Sequence, residues 1–72
     1  KTAKHRTIVS VSIANMRTRP STTAAVITTL SRDTEVVPIE RRGSWVFIRI
    51  GDGARKQEGW VFGSNLLDMT GP

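Results

Sequence analysis

Short runs of β-branched and aromatic residues, separated by turn-forming residues, extend along almost the whole chain. No window keeps the 3.6-residue apolar period and the capping residues that an α-helix needs. Five runs have the length and composition of strands, namely residues 9–13, 25–30, 36–39, 45–50 and 59–62. Strands at this spacing close most economically into a barrel, because closure removes exposed strand edges. The sequence therefore predicts an all-β fold, a small barrel of five to six short antiparallel strands.

The clearest strand signal is the segment 45–50, which is aromatic and β-branched almost throughout. Its side chains alternate between two faces, with Trp45, Phe47 and Arg49 on one and Val46, Ile48 and Ile50 on the other. Since successive side chains of a strand point to opposite faces, we expect the aliphatic face to lie in the core. The preceding segment 41–44 contains Gly43 and has the length of a hairpin connection.

Two places interrupt the strand pattern. After Ile13 the apolar positions shift to Ala14 and Met16, which indicates a bulge or a bend where the first strand leaves the sheet. The stretch 15–23 that follows is rich in arginine, proline, serine and threonine, and it is predicted to be a loop. Pro38 lies inside the third run and cannot donate to a strand ladder, so it predicts an edge position or a bulge.

The chain has 72 residues, enough for one domain only. We place the barrel at residues 8–68, with a flexible basic lead-in at 1–7 and a tail at 69–72. The absence of cysteine excludes a disulfide framework and thiolate zinc sites. No apolar run approaches the ~20 residues that span a bilayer, and residues 1–7 lack the apolar core of a signal peptide. Since the chain begins with lysine, we expect targeting sequence to lie outside it, in a longer protein.

The charge balance favours anionic partners. The chain has 11 Lys and Arg against 6 Asp and Glu, a formal net charge of +5, which attracts anions at long range. Nucleic acid, anionic wall polymers and acidic protein surfaces all fit this charge, and so does a basic surface that only aids solubility. Nucleic acid is the least favoured of these, because aromatic residues make up only 6% of the chain and no basic stripe is interleaved with them.

The residues offer little for catalysis or metal binding. His5 is the only histidine, and neither a cysteine nor a cluster of carboxylates is near it in the sequence. Asp33 and Glu35 flank a turn, so we expect solvated charges rather than an acid–base pair. The segment 51–53 lacks the lysine, the hydroxyl residue and the following helix of a phosphate-binding loop. We therefore predict a protein that is not an enzyme and that uses no metal or cofactor.

Three segments, taken in order, resemble the motifs of bacterial SH3-type domains. They are Asn15–Met16–Arg17 with Pro20, Ser21, Val26, Ile27 and Leu30; Gly43–Ser44–Trp45–Val46 with Ile48; and Gly59–Trp60–Val61 with Ser64, Asn65 and Leu66. These resemble the NVRxxPS opening, the GxWxxV hairpin and the closing GWV motif of that family, and they cover residues 9–67. The resemblance implies an SH3-like barrel that serves as a binding module.

The sequence departs from the SH3 pattern at a few positions. Asp33 occupies a turn where the bacterial family commonly has glycine, and aspartate is an acceptable turn residue. Compared with eukaryotic SH3 domains, the ALYDY motif is missing, and Gly63 and Leu66 replace the proline and the tyrosine of GxxPSNY. Because those aromatic residues form the groove for polyproline helices, recognition of proline-rich peptides is not expected.

The resemblance also implies a function and a site. The implied function is to target a larger bacterial protein to peptidoglycan or another cell-envelope component, in the periplasm or the cell wall. The alternative is a protein-interaction or regulatory module that recognises a peptide or a neighbouring domain. Either role suits a monomer without a membrane span. We predict the site in a groove between the 15–23 loop and the 41–44 hairpin, with Trp60 mainly structural. Its candidate residues are Trp45 as a stacking surface and Asn15, Arg17, Arg19 and Arg42 as hydrogen-bonding groups.

Overall fold

A computed structural model describes the backbone of residues 5–51 and 53–70 and the side chains of 7–51 and 53–68. Its strands are β1 (His5–Val9), β2 (Ile13–Arg17), β3 (Val26–Ser31), β4 (Glu35–Arg42), β5 (Trp45–Ile50), β6 (Gln57–Phe62) and β7 (Leu66–Thr70). They form one antiparallel sheet in the order β3-β2-β6-β5-β4-β1-β7. Within the described residues, the only helical segments are single 3-10 turns at Gly53–Arg55 and Gly63–Asn65. The all-β prediction is confirmed, with seven strands rather than five or six.

One apolar cluster fills the inside of the sheet. It contains buried side chains from β1 to β6, namely Val9, Ala14, Met16, Leu30, Val36, Val46, Ile48 and Val61. β1 and β3 lie near opposite ends of the strand order, yet Val9 and Leu30 belong to this one cluster, so the sheet curls around it as a barrel does. Hydrogen bonds from Val9 N–H to the Thr34 carbonyl (3.0 Å) and from Asp33 N–H to the Val9 carbonyl (2.8 Å) continue the pairing of β1 with β4 into the turn that follows β3. Each fully buried aliphatic side chain contributes about 1.5–3 kcal/mol to folding.

The strand predicted over 9–13 is wrong, because the chain bends within it. β1 ends at Val9 and β2 begins at Ile13. Val9 and Ala14 are both buried, and an uninterrupted strand would place them on opposite faces. As a result Ile13 faces solvent with 60% of its surface exposed. The shift of apolar positions after Ile13 does reflect a bend, but the bend precedes that residue. β2 then continues to Arg17, so the loop predicted over 15–23 begins at residue 18.

Strand pairing extends beyond the predicted barrel at both ends. β1 begins at His5, inside the predicted lead-in, and β7 ends at Thr70, inside the predicted tail. The two strands pair along their whole length, from His5 opposite Thr70 to Val9 opposite Leu66. The rest of the predicted lead-in and tail, residues 1–4 and 71–72, lies outside the described residues.

The turns and the central strand agree with the sequence pattern. Asp33 has φ +72°, the left-handed conformation for which glycine is the usual residue. The register of β4 against β5 shifts between Pro38 and Glu40, which confirms a bulge next to the proline. Gly43 has φ +57° in the two-residue connection of the β4–β5 hairpin. The predicted inward face of β5 is confirmed, with Ile48 fully buried.

Candidate functional site

The outer face of β5 and β6 carries all the aromatic residues of the chain, two tryptophans and two phenylalanines. Trp45 and Phe47 alternate with buried residues on β5, and Trp60 and Phe62 alternate with buried residues on β6. We call these four side chains the aromatic strip. Phe62 is exposed and the other three are partly exposed, so the strip is accessible from solvent along its length.

The strand register orders the aromatic strip into two cross-strand pairs. Trp45 lies opposite Phe62, with ring centroids 5.4 Å apart and an interplanar angle of 79°, an edge-to-face arrangement. Phe47 lies opposite Trp60, with centroids 5.1 Å apart and planes tilted by 48°. Such pairs contribute about 0.5–1.5 kcal/mol beyond the burial of their area. They therefore hold the rings in fixed orientations while part of each ring stays open to a ligand.

Gly59 on β6 allows β2 to lie close beside the aromatic strip. A Cβ atom at this position would lie 2.7 Å from Met16 Cγ and 2.9 Å from the Arg17 carbonyl oxygen. Both distances are well below the ~3.5–4.0 Å at which carbon atoms attract one another. Glycine thus permits the pairing of β2 with β6, where Arg17 lies opposite Trp60. This contact brings the outward side chains of β2 to the border of the strip.

A small hollow of about 140 Å³ lies where β2 meets one end of the aromatic strip. We call it the polar hollow, and its lining consists of Ile13, Asn15, Arg17, Thr22, Trp45, Phe62 and Asn65. Three of the predicted site residues, Asn15, Arg17 and Trp45, are brought together here. Thr22 comes from the loop that follows β2, so the hollow lies beside this loop as the predicted groove does.

Arg17 holds that loop in place. Its guanidinium Nη1 donates a 2.8 Å hydrogen bond to the Ala24 carbonyl at the far end of the loop. Beside it, the amide of Thr18 donates to the Ala25 carbonyl at 3.0 Å. A guanidinium has five N–H donors, so this bond leaves others for a ligand. Arg17 is therefore a positioning residue for the wall of the polar hollow as well as a candidate contact.

The other two predicted arginines lie elsewhere. Arg19 lines a separate hollow of about 380 Å³, together with Pro20, Ser21, Thr23 and Ala24. Arg42 lies on β4, where its Nε donates 2.8 Å to Glu40 Oε2. Its guanidinium also lies 5.9 Å from the centroid of the Trp60 ring, within the range of a cation–π contact. Arg42 thus covers part of the aromatic strip and does not reach the polar hollow.

Sequence reasoning missed several residues of this surface. Phe62 and Asn65 line the polar hollow, and Trp60, predicted to be mainly structural, belongs to the outward-facing strip. The alternation along each strand places Phe47 on the face of Trp45 and Phe62 on the face of Trp60. The pairing of the two strands depends on the length and shape of the loop between them, and one sequence does not specify that register.

The comparison with known families agrees with this geometry. Residues 12–66 match the model of the bacterial SH3 domain. The chain belongs to this family. The part of this bacterial SH3 domain that matches begins just before β2 and ends at the first residue of β7, so β1 and most of β7 lie outside it. No curated protein and no solved structure matches the chain.

Two further features of this SH3 domain concern function. Among the described residues, no group of three or more His, Cys, Asp or Glu side chains is placed to hold a metal ion. The same part of the chain contains no helix that is long and apolar enough to cross a membrane.

Proposed function

We propose that this bacterial SH3 domain is a non-catalytic binding module. It holds a larger bacterial protein on peptidoglycan or another component of the cell envelope, outside the cytoplasm. The observation that carries the proposal is the aromatic strip, whose Trp45 end opens into the polar hollow. Domains of this family are typically binding modules, and an apolar ring beside a few convergent polar groups is the usual composition of a ligand site.

Within the polar hollow, each side chain has a distinct role in the proposed binding. The partly exposed ring of Trp45 offers a flat apolar surface on which a sugar ring or a peptide unit packs. Asn15 is exposed, and its amide both donates and accepts hydrogen bonds, which suits hydroxyl and amide groups alike. Arg17 fixes the loop wall and has N–H donors left for a carboxylate or a carbonyl of the ligand.

Arg19 and Arg42 act mainly through charge. Arg19 is exposed on the loop next to the polar hollow, where it adds to the attraction that a net charge of +5 exerts on anionic polymers. Arg42 is exposed and paired with Glu40. Exposed ion pairs contribute only about 0–1 kcal/mol, so an anionic group of a ligand can replace this partner at small cost.

The test is an NMR titration of the labelled domain with soluble peptidoglycan fragments, combined with sedimentation on purified sacculi. We expect saturable shifts at the indole of Trp45 and at the amides of Asn15 and Thr22. Trp45→Leu and Asn15→Ala should each weaken binding, while their NMR spectra show that the barrel is intact. Arg19→Ala is compared with Arg32→Ala, a second exposed arginine that lines neither hollow, and the former should reduce binding more than the latter.

Two results would contradict the proposal. The first is the absence of both sedimentation and shifts at millimolar fragment, which would favour recognition of a protein or a neighbouring domain instead. The second is an equal loss of binding in the two arginine variants, which would mean that the basic surface attracts the wall without a defined site. Tight binding to an oligonucleotide with steep salt dependence would identify a nucleic-acid surface.

A further inference from the structure

A second concave site lies between β4 and the β1–β7 ladder, on a different part of the barrel from the polar hollow. Its volume is about 330 Å³, and we call it the edge cleft. The lining consists of Thr7, Pro38, Ile39, Glu40, Arg41, Val46, Gly63, Leu66 and Asp68. Among the residues whose side chains the structure describes, none lines both the edge cleft and the polar hollow. The two sites are therefore separate in their linings, although Val46, Gly63 and Leu66 of the edge cleft directly follow Trp45, Phe62 and Asn65 of the polar hollow in the chain.

The edge cleft exists because β4 and β1 separate. β1 pairs with β4 only at Thr7 opposite Val36 and Ile8 opposite Glu35. β4 nevertheless continues to Arg42 and remains paired with β5 along its other edge. In the described part of the chain, the edge of β4 from residue 37 to residue 42 thus has no partner strand on the side of the cleft. Two apolar side chains of this stretch, Val37 and Ile39, are exposed, at 51% and 45%.

The hairpin geometry determines which backbone groups face the cleft. Arg42 and Trp45 flank the two-residue connection and pair with each other, so their N–H and carbonyl groups point toward one another. Because these groups alternate between the two edges of an antiparallel strand, the N–H and the carbonyl of Arg41 point to the open edge. Pro38 has no N–H to offer. The edge therefore presents few hydrogen-bonding groups, and this favours one register of an added strand over indiscriminate pairing.

The side chains of the edge cleft combine an apolar floor with two separate charges. Val46 is buried at the base, and Leu66 packs against the core beside it. Arg41 lies on the β4 wall and Asp68 on the β7 wall, and neither forms an ion pair with another described residue. Within the described part of the chain, the only hydrogen bond of the Arg41 guanidinium goes to the Gly43 carbonyl at 3.5 Å, the upper limit for such a contact. Both charges are thus available to a ligand.

We propose that the edge cleft binds an extended peptide segment of a partner protein, which adds to the open edge of β4 as a further strand. Main-chain hydrogen bonds to Arg41 supply the backbone contact, as in other cases of strand addition. Alternate side chains of the peptide point into the cleft. An acidic one pairs with Arg41, an apolar one packs on Val46 and Leu66, and a basic one reaches Asp68.

Two observations favour a peptide over a second copy of this domain. If two copies paired through this edge of β4, each would place its Pro38 and the neighbouring bulge in the new strand ladder. Both features weaken strand pairing, and a pair of copies would contain each of them twice. The separated charges of Arg41 and Asp68, in contrast, are complementary to a segment that carries one charge of each sign.

One wall of the edge cleft is formed outside the part of the chain that matches the family. Thr7 and Asp68, which line this wall, both lie outside the matched residues 12–66.

The test is an NMR titration with an acetylated and amidated pentapeptide of glutamate, threonine, valine, threonine and lysine, in that order, and with the peptide of reversed order. The control peptide has the same side chains but a methyl group on each backbone nitrogen, so it cannot donate to a strand ladder in any register. We expect saturable shifts at the amides of Arg41, Leu66 and Asp68, with slower hydrogen exchange at Arg41. One of the two orders should bind more tightly, and the N-methylated peptide should not bind.

Matched variants then test the charges. Arg41→Gln should weaken binding about tenfold, since a charge-assisted hydrogen bond is lost. Arg55→Gln removes the same charge from an exposed position outside the edge cleft and should leave the affinity unchanged. Equal binding of the N-methylated peptide, equal loss in both variants, or no shifts at millimolar peptide would each overturn the proposal. Shifts along β4 that depend on protein concentration without peptide would overturn it too, by identifying a second copy as the occupant.

Discussion

Replacing Gly59 with alanine should destabilise the domain through one methyl group. The added Cβ would lie 2.7 Å from Met16 Cγ, 2.9 Å from the Arg17 carbonyl oxygen and 3.0 Å from Ile27 Cδ1. The two side chains can rotate away, but the carbonyl belongs to the backbone of β2, so β2 and β6 have to move apart. Overpacking of this kind costs about 1–3 kcal/mol. The reduced entropy of the unfolded chain offsets about 0.4–1 kcal/mol of it.

The expected net loss is about 1–2 kcal/mol, which lowers the Tm of a domain of this size by roughly 4–16 °C. Urea unfolding followed by tryptophan fluorescence and thermal unfolding followed by circular dichroism both measure the loss. The loss is a large fraction of the total, since small domains are stable by only about 0.05–0.15 kcal/mol per residue. The Trp60 indole signal should also shift in the NMR spectrum, because Gly59 sets the distance between β6 and β2.

Gly43→Ala is the control. There φ is +57° and no atom lies within 4 Å of the new Cβ, so any cost comes from the backbone alone. In the double variant of Met16→Ala and Gly43→Ala, the two losses of stability should add. In the double variant of Met16→Ala and Gly59→Ala they should not, because only residues 16 and 59 are in contact. An unchanged or raised Tm for Gly59→Ala would refute the inferred approach of β2 to β6, and with it the geometry of the polar hollow.

Substitutions at three further positions test other parts of the fold, each by urea unfolding. Asp33→Ala should lower the free energy of unfolding by about 1 kcal/mol, because alanine is strained at φ +72°, whereas Asp33→Gly should not lower it. Equal losses in the two variants would contradict the left-handed turn. Gly63→Pro removes the amide that donates 2.6 Å to the Ser44 carbonyl and should cost about 1–3 kcal/mol. A neutral result would mean that this hydrogen bond is not formed. Ile48→Val should cost about 0.5–1.5 kcal/mol and Ile48→Ala about 2–5 kcal/mol, since Ile48 is fully buried; smaller losses would place it outside the core.

Sequence analysis was most accurate for features that depend only on residues close together in the chain. Alternation of Trp45 and Phe47 with Val46 and Ile48 correctly predicted both the strand and its inner face. The turn at Asp33 was equally readable, because few residues tolerate a positive φ. These features depend on neighbours along the chain, so a single sequence contains them.

The sequence was least informative where distant segments meet. The bend after Val9 follows from the need to bury Ala14 in the same core, and the alternation Val9–Val11–Ile13 conceals it. β7 contains polar residues and forms only because β1 lies beside it. The polar hollow likewise depends on the register of β5 with β6 and on the approach of β2. Asn15, Arg17 and Trp45 could therefore be named as candidates, while Phe62 and Asn65 could not.

Both surfaces consist largely of residues that the core does not need. The buried cluster takes the inward side chains, whereas Trp45 of the aromatic strip and Arg41 of the edge cleft belong to outward or edge positions. In so small a domain, substitutions in the core threaten the whole fold. Outward positions do not carry this constraint, because surface substitutions usually change stability by less than about 0.5 kcal/mol. The ligand preference of such a barrel can therefore change at its outer face while the fold stays the same, and it is at these positions that binding can be tested without unfolding the protein.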